Sequence, residues 1–172
     1  MRSTNRISLA KQHGSNYGST TQNSLGAKLF GLNRAFIPRF AFITWLAFPD
    51  RLSTGARSRA WGCVQPCLLC GEPDETRDHL FFAYPYSFTV WIDLVGFLLG
   101  SLVNPDWAIT VASIMSPRRR EIDTCLLKLA LQASIHSLWR ERNSRHHQGN
   151  PHSAAQMVRY IDKTIRNRIS SL

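Results

Sequence analysis

The stretch Cys67-Leu68-Leu69-Cys70-Gly71-Glu72-Pro73-Asp74-Glu75-Thr76-Arg77-Asp78-His79-Leu80-Phe81-Phe82 sets two thiols and an imidazole at the spacing of a zinc knuckle. Thiolates and neutral imidazole suit Zn²⁺, and cysteines two residues apart let one tight turn present both sulfurs to the same ion. Gly71 and Pro73 supply the turn chemistry that brings Cys67 and Cys70 together, and His79 on the next element closes the loop. Structural zinc takes four protein ligands. Cys63, four residues before Cys67, is available as a fourth sulfur in a Cys₃His set. Without an ion, the same residues read as two buried thiols and a histidine at a helix start. Three ligands and an open position also describe catalytic zinc, with Glu75 as a base. The spacing implies no supporting acid or pocket, so a structural site is the simpler reading.

Outward from the knuckle, the apolar pattern is helical. Phe36, Phe40, Ile43 and Ala47 recur at helical spacing, and Phe42, Trp45, Leu46 and Phe48 widen that face until it almost surrounds the helix, which predicts a segment inside a bundle. Pro49-Asp50 ends it. Ser53-Thr54 caps a short helix through Arg57 to Trp61, Gly62 stops it, and the knuckle loop occupies Cys63 to Asp78. After the Leu80-Phe81-Phe82 run and a break at Pro85, Ser87 caps a helix striped by Phe88, Trp91, Val95 and Leu98. Asn104-Pro105 opens a short helix through Trp107, Val111 and Ile114, and Ser116-Pro117 opens the longest one, Arg118 to Arg145. On that helix Ile122, Leu126, Leu129, Ala133, His136 and Trp139 share a face, with His136 read as a satisfied core histidine. Gly149-Asn150-Pro151 is a break, Ser153-Ala154-Ala155-Gln156 a capping box, and Val158, Ile161, Ile165 and Ile169 stripe a last helix. No internal repeat and no strand pair stands out. The expectation is a mainly α fold, a small irregular helical bundle with a zinc-knuckle-like loop: residues 1–33 a disordered extension, 34–148 the helical domain, 149–172 a C-terminal amphipathic helix.

Several of these motifs occur together in an order that resembles a known family. Ile37-Pro38-Arg39-Phe40-Ala41-Phe42, Trp45-Leu46-Ala47, Arg51-Leu52-Ser53-Thr54, Trp61-Gly62, Cys67-Leu68-Leu69-Cys70, Glu75-Thr76 and His79-Leu80-Phe81-Phe82 are similar to the zinc-binding domain that follows the reverse transcriptase of plant non-LTR (LINE-type) retrotransposons. Trp91 falls at that family's helix tryptophan, and Trp139-Arg140-Glu141-Arg142-Asn143 resembles the tail seen downstream; the likeness spans residues 36 to 147. The resemblance implies Zn²⁺ held by Cys67, Cys70 and His79, with a fourth ligand from the pattern His-Leu-Phe-Phe-x-Cys. Tyr84 stands at that cysteine position, and a phenol is a poor zinc ligand at neutral pH. It also implies a setting beside a reverse transcriptase domain, with RNA or DNA as partner.

The net charge of +10 is unevenly spread. Residues 1–49 carry six Lys/Arg and no acid, 50–116 four against seven acids, and 117–172 eleven against four. An anionic partner meets the basic arms first, since nucleic-acid affinity is largely phosphate neutralisation. Arg118, Arg119, Arg120, Arg140, Arg142 and Arg145 are the candidate phosphate contacts, solubility being the bland alternative. Trp45 and Trp61 read as core packing rather than base stacking, and His146-His147 with His152 as a solvated tract rather than a chelator. Polymerase and ribonuclease H chemistry need carboxylates gathered around Mg²⁺, and the acids here are sparse and scattered, so no enzyme is expected. Cys63, Cys67, Cys70 and Cys125 without a secretory signal fit a reducing compartment, nucleus or cytoplasm. An organellar transit peptide in residues 1–33, with Arg2, Arg6 and Lys11 among serines, is the alternative. The apolar run Leu94 to Val103 falls short of the ~20 residues a bilayer requires, so no membrane is expected.

Overall fold

The structure, a computed structural model, describes residues 37–171; the extension read at residues 1–33 lies outside them. The elements in chain order are α1 (Pro38–Ala47), α2 (Gly55–Arg59), a π-helical turn (His79–Ala83), α3 (Pro85–Leu99) continuing into a 3₁₀ turn (Gly100–Leu102), α4 (Trp107–Ile114), α5 (Glu121–His146) and α6 (Ala154–Ile169). Among the described residues there is no strand, and the fold is mainly α.

Helix α5 is the axis. From Leu127 to Arg142 it is buried on more than one side, because α1, α3, α4 and α6 all pack on it. The stripe read from periodicity therefore needs correcting. Ile122 is exposed, Leu126, His136 and Trp139 are half-buried, and the fully enclosed positions include Leu127, Leu131, Ile135 and Leu138. Proline at the first turn starts α3, with Tyr84 at the N-cap; Ser87 sits inside the helix, where its hydroxyl donates to the Tyr84 carbonyl at 3.0 Å. The long helix likewise starts later than Ser116-Pro117 suggests. Arg120 is its N-cap, so Arg118–Arg120 precede it, while Glu121 and Asp123 in its first turn and Arg145 and His146 in its last suit the macrodipole. Asp106, rather than Asn104, caps α4 by accepting from Ile109 N–H at 2.8 Å. The capping box at Ser153/Gln156 is present with both hydrogen bonds. The span Pro85–Leu102 is long and apolar enough by composition to cross a bilayer, longer than the run read from sequence. Val90, Trp91, Val95 and Leu99 on it are buried in the protein core.

Two apolar clusters share α5. The larger gathers Phe48, Leu52, Cys67, Leu69, Leu80, Phe81, Phe82, Trp91 and Trp107 under the knuckle. The smaller joins Ile37 and Phe40 to Leu129, Ala133, Met157 and Ile161. Polar groups inside are paired across long sequence distances. Gln132 is buried yet satisfied, its amide oxygen accepting from Ile37 N–H (3.0 Å) and its amide nitrogen donating to the Ile37 carbonyl (3.1 Å), so the start of α1 is clamped to α5. Glu75 and Arg142 form a buried ion pair: Nη2 lies 2.9 Å and Nε 3.1 Å from Glu75 Oε1. The same oxygen accepts from Gly55 N–H at 3.1 Å, and the Glu75 carbonyl accepts from Ala56 N–H. Gly55 must be glycine, since a β-carbon there would collide with the carbonyl oxygen of Gln65.

Two predictions follow from these buried groups. Arg142→Met leaves the Glu75 carboxylate buried and unpaired, and is expected to cost about 3–5 kcal/mol in urea unfolding. Adding Glu75→Gln should recover part of that, because the amide oxygen can still accept from Gly55 and no charge remains inside. The second concerns acid. His136, stacked on Phe40 with centroids 3.8 Å apart, has its pKa lowered by burial and then by the charges of Arg39 and Arg140, and its Nδ1 is buried without a partner, unlike the satisfied histidine expected. Burial pushes the Glu141 pKa up, but hydrogen bonds from His152 and Arg145 outweigh it and the net shift is downward. Each group binds protons more weakly when folded. Its stabilisation is complete above its unfolded pKa and is lost as pH falls through the folded one. Thermal midpoints of metal-free protein should therefore drop in two acid steps, below the ordinary histidine range and again below the ordinary glutamate range, and His136→Phe should abolish the first.

Candidate metal centre

The knuckle is built as a tight turn between two anchored ends. Gly71 N–H donates to the Cys67 carbonyl and Cys67 N–H to the Glu72 carbonyl, both at 2.7 Å. Gly71 has φ +83°, a left-handed conformation that glycine adopts without strain. Glu72 N–H points at Cys70 Sγ (3.4 Å), and the N–H groups of Leu69 and Cys70 favour the Cys67 thiolate. Upstream, the loop is held by the Gly55–Glu75–Arg142 network and by Gln65 Nε2 against His146 Nδ1 at 3.2 Å. Beneath, Cys67 and Leu69 are part of the core.

The third donor comes from the π-helical turn. Tyr84 N–H bonds back to the His79 carbonyl at 3.0 Å, the i→i+5 closure of a π turn, a local feature often found at functional sites. One donor atom from each of Cys67, Cys70 and His79 lies within 4.8 Å of the others, and Cys70 Sγ is 3.2 Å from His79 Nε2. Burial, above all, pushes the Cys67 thiol up to about 12, so without metal it is protonated at neutral pH and zinc uptake must release that proton. The closure also brings Tyr84 to the site. Its ring stacks on His79 (centroids 5.5 Å apart, 25° between planes) and its hydroxyl donates to the Leu69 carbonyl at 3.3 Å, between the two cysteines. Tyr84 thus ties the knuckle to the π turn.

The remaining candidates divide. Cys63 is exposed, closes the turn after α2 through its N–H to the Ser58 carbonyl, and lies outside the donor cluster. Glu75 is fully buried and engaged by Arg142 and Gly55. Among the arginines, Arg142 is consumed by Glu75, Arg145 pairs with Glu141 (2.9 Å), and Arg119 donates to the Leu98 and Ser113 carbonyls. These three hold the fold together. Arg118, Arg120 and Arg140 are exposed, Arg140 donating to Tyr160 Oη. His146 and His147 meet edge-on with centroids 5.0 Å apart, but His152 binds Glu141 instead, and among the described residues the three form no metal-holding group. Sequence reasoning placed Trp45 and Trp61 in the core. They are 47% and 66% exposed, and the inward face of α1 runs instead through Phe40, Thr44 and Ala47.

A family model described as "zinc-binding in reverse transcriptase" matches residues 15–91, a little under half of the chain, and this segment contains Cys67, Cys70, His79 and Tyr84. No curated protein and no solved structure matches the chain. The donor set is of the kind zinc prefers, two sulfurs and one imidazole nitrogen already gathered, so Cys67, Cys70 and His79 would hold the ion. Tyr84→Cys should convert this set to a four-ligand site. With ~10–16 kcal/mol spread over four ligands, one thiolate is worth ~3 kcal/mol, and competition with a chromophoric chelator should show zinc affinity rising about a hundredfold.

Proposed function

We propose that this chain is a non-catalytic accessory module derived from a plant LINE-type retroelement, which uses a zinc-knuckle-like fold to hold RNA or DNA beside a reverse transcriptase. The observation that carries the reading is the convergence of Cys67, Cys70 and His79 within the segment similar to the reverse-transcriptase-associated zinc-binding family. Zinc, when bound, supplies a cross-link between the knuckle and the π turn. The chain's own residues do the rest: Gly71 turns the loop, Tyr84 stacks on the histidine, and Glu75 fixes the knuckle to α5. A non-catalytic role is supported by the engagement of Glu75 and Glu141 in ion pairs, which leaves neither carboxylate to bind Mg²⁺. A nuclear or cytoplasmic location is supported by Cys63, Cys67 and Cys70 being thiols. The second reading is a structural or interaction protein, or a remnant, whose metal site is vestigial. Tyr84 at the family's cysteine position and its hydrogen bond to Leu69 favour it.

The full chain, purified with zinc, should retain about one equivalent by metal analysis after dialysis. It should also bind RNA or DNA with an affinity that falls steeply between about 50 and 200 mM salt. Binding indifferent to salt, or none, overturns the nucleic-acid part; metal-free protein after zinc loading overturns the metal part. Chelation should leave α1, α3, α5 and α6 folded by circular dichroism, because Cys67 and Leu69 are held by apolar contacts and the Glu75–Arg142 pair does not involve the ion.

A further inference from the structure

We propose that the surface carrying Phe42, Trp45, Arg51, Arg57 and Trp61 binds single-stranded nucleic acid by stacking unpaired bases on its exposed rings. This rests on the nucleic-acid reading above and specifies where the strand lies and in which form. Phe42, Trp45 and Trp61 are 63%, 47% and 66% exposed, although large aromatic side chains are normally largely buried. Two ring–guanidinium pairs are linked through a backbone carbonyl. Phe42 and Trp45 lie 6.3 Å apart at 27°, the Arg51 guanidinium sits 5.9 Å over Trp45, and the Arg57 guanidinium 5.5 Å over Trp61. Arg57 Nη1 donates to the Asp50 carbonyl at 2.8 Å, which joins the two Trp–Arg pairs through the backbone preceding Arg51. Asp50 is held at φ 54°, the left-handed conformation that commonly ends a helix and that aspartate adopts more readily than most residues. The Oδ1 of Asp50 is buried.

The chemistry selects the occupant. Half-exposed rings, each with a guanidinium beside it, complement a chain that alternates flat bases with phosphates, and base stacking on aromatic side chains is tolerant of sequence. A duplex keeps its bases stacked and offers these rings nothing. Charge agrees, since Arg51 beside Trp45 is exposed.

Binding of the full chain to a fluorescent oligo-uridine and to a duplex of equal length, measured by anisotropy across salt concentrations, tests this. Wild type should prefer the single strand. Trp45→Ala and Trp61→Ala should each weaken binding about 10-fold to 100-fold with the salt slope unchanged. Trp→Phe at either site should restore most of the affinity, while Arg51→Gln should reduce the slope by about one. Thermal midpoints of the variants must stay near wild type, as the exposure of both rings predicts. Salt-dependent binding by wild type that survives in both Trp→Ala variants, or equal affinity for the duplex, overturns the stacking surface while leaving the nucleic-acid reading intact; the rings would then serve a protein contact. No binding by wild type to either nucleic acid overturns both.

Discussion

Everything around the knuckle depends on one buried charge being matched. Glu75 lies in the loop that carries the cysteines, has no exposed surface, and is satisfied only because Arg142 on α5 and the Gly55 N–H on α2 converge on its Oε1. A buried ion pair gains little over a well-packed apolar pair, since desolvation offsets most of the Coulomb attraction. Its value lies in specification. A carboxylate with no other partner admits one arrangement of loop, short helix and long helix, and the close approach at Gly55 makes that arrangement tighter than any side chain at this position would allow. The cysteines are therefore positioned from outside, by the scaffold, and not by the ion alone.

The π turn contributes from the other side. By inserting one residue into a helical turn it places His79 against Cys70 and swings Tyr84 onto the same group. Tyr84 contributes a ring stack and a hydrogen bond to Leu69. These interactions are weaker than coordination, but they need no ion. Together with the Glu75 network they let apolar burial of Cys67, Leu69, Phe81 and Phe82 hold a loop that a free-standing knuckle would hold with metal.

Much of this was legible in the residues. Helical periodicity, the capping box at Ser153 and the breaks at Gly149–Pro151 are local signals, and local chemistry decides them. The Cys-x-x-Cys turn is equally local, and so its geometry could be read with Gly71 in place. What escaped were choices made by distant partners. Nothing near Arg142 distinguishes it from Arg140, yet one is buried on Glu75 and the other exposed. The apolar surface of α1 gave no sign that Phe42 and Trp45 face outward, because which side meets α5 is set by Phe40, Thr44 and the Gln132 clamp at Ile37. Proline at the start of α3 and the acidic first turn of α5 outweighed serine caps that looked equally good in sequence.

Arg142 stands 67 residues beyond its carboxylate partner, well past residue 91, where the match to the family model ends. The cysteine-bearing piece is consequently no portable cassette. Excised at the edge of that match, it would carry an orphan anion into a half-built interior, and a lineage shuffling such segments would have to move the long helix along with them.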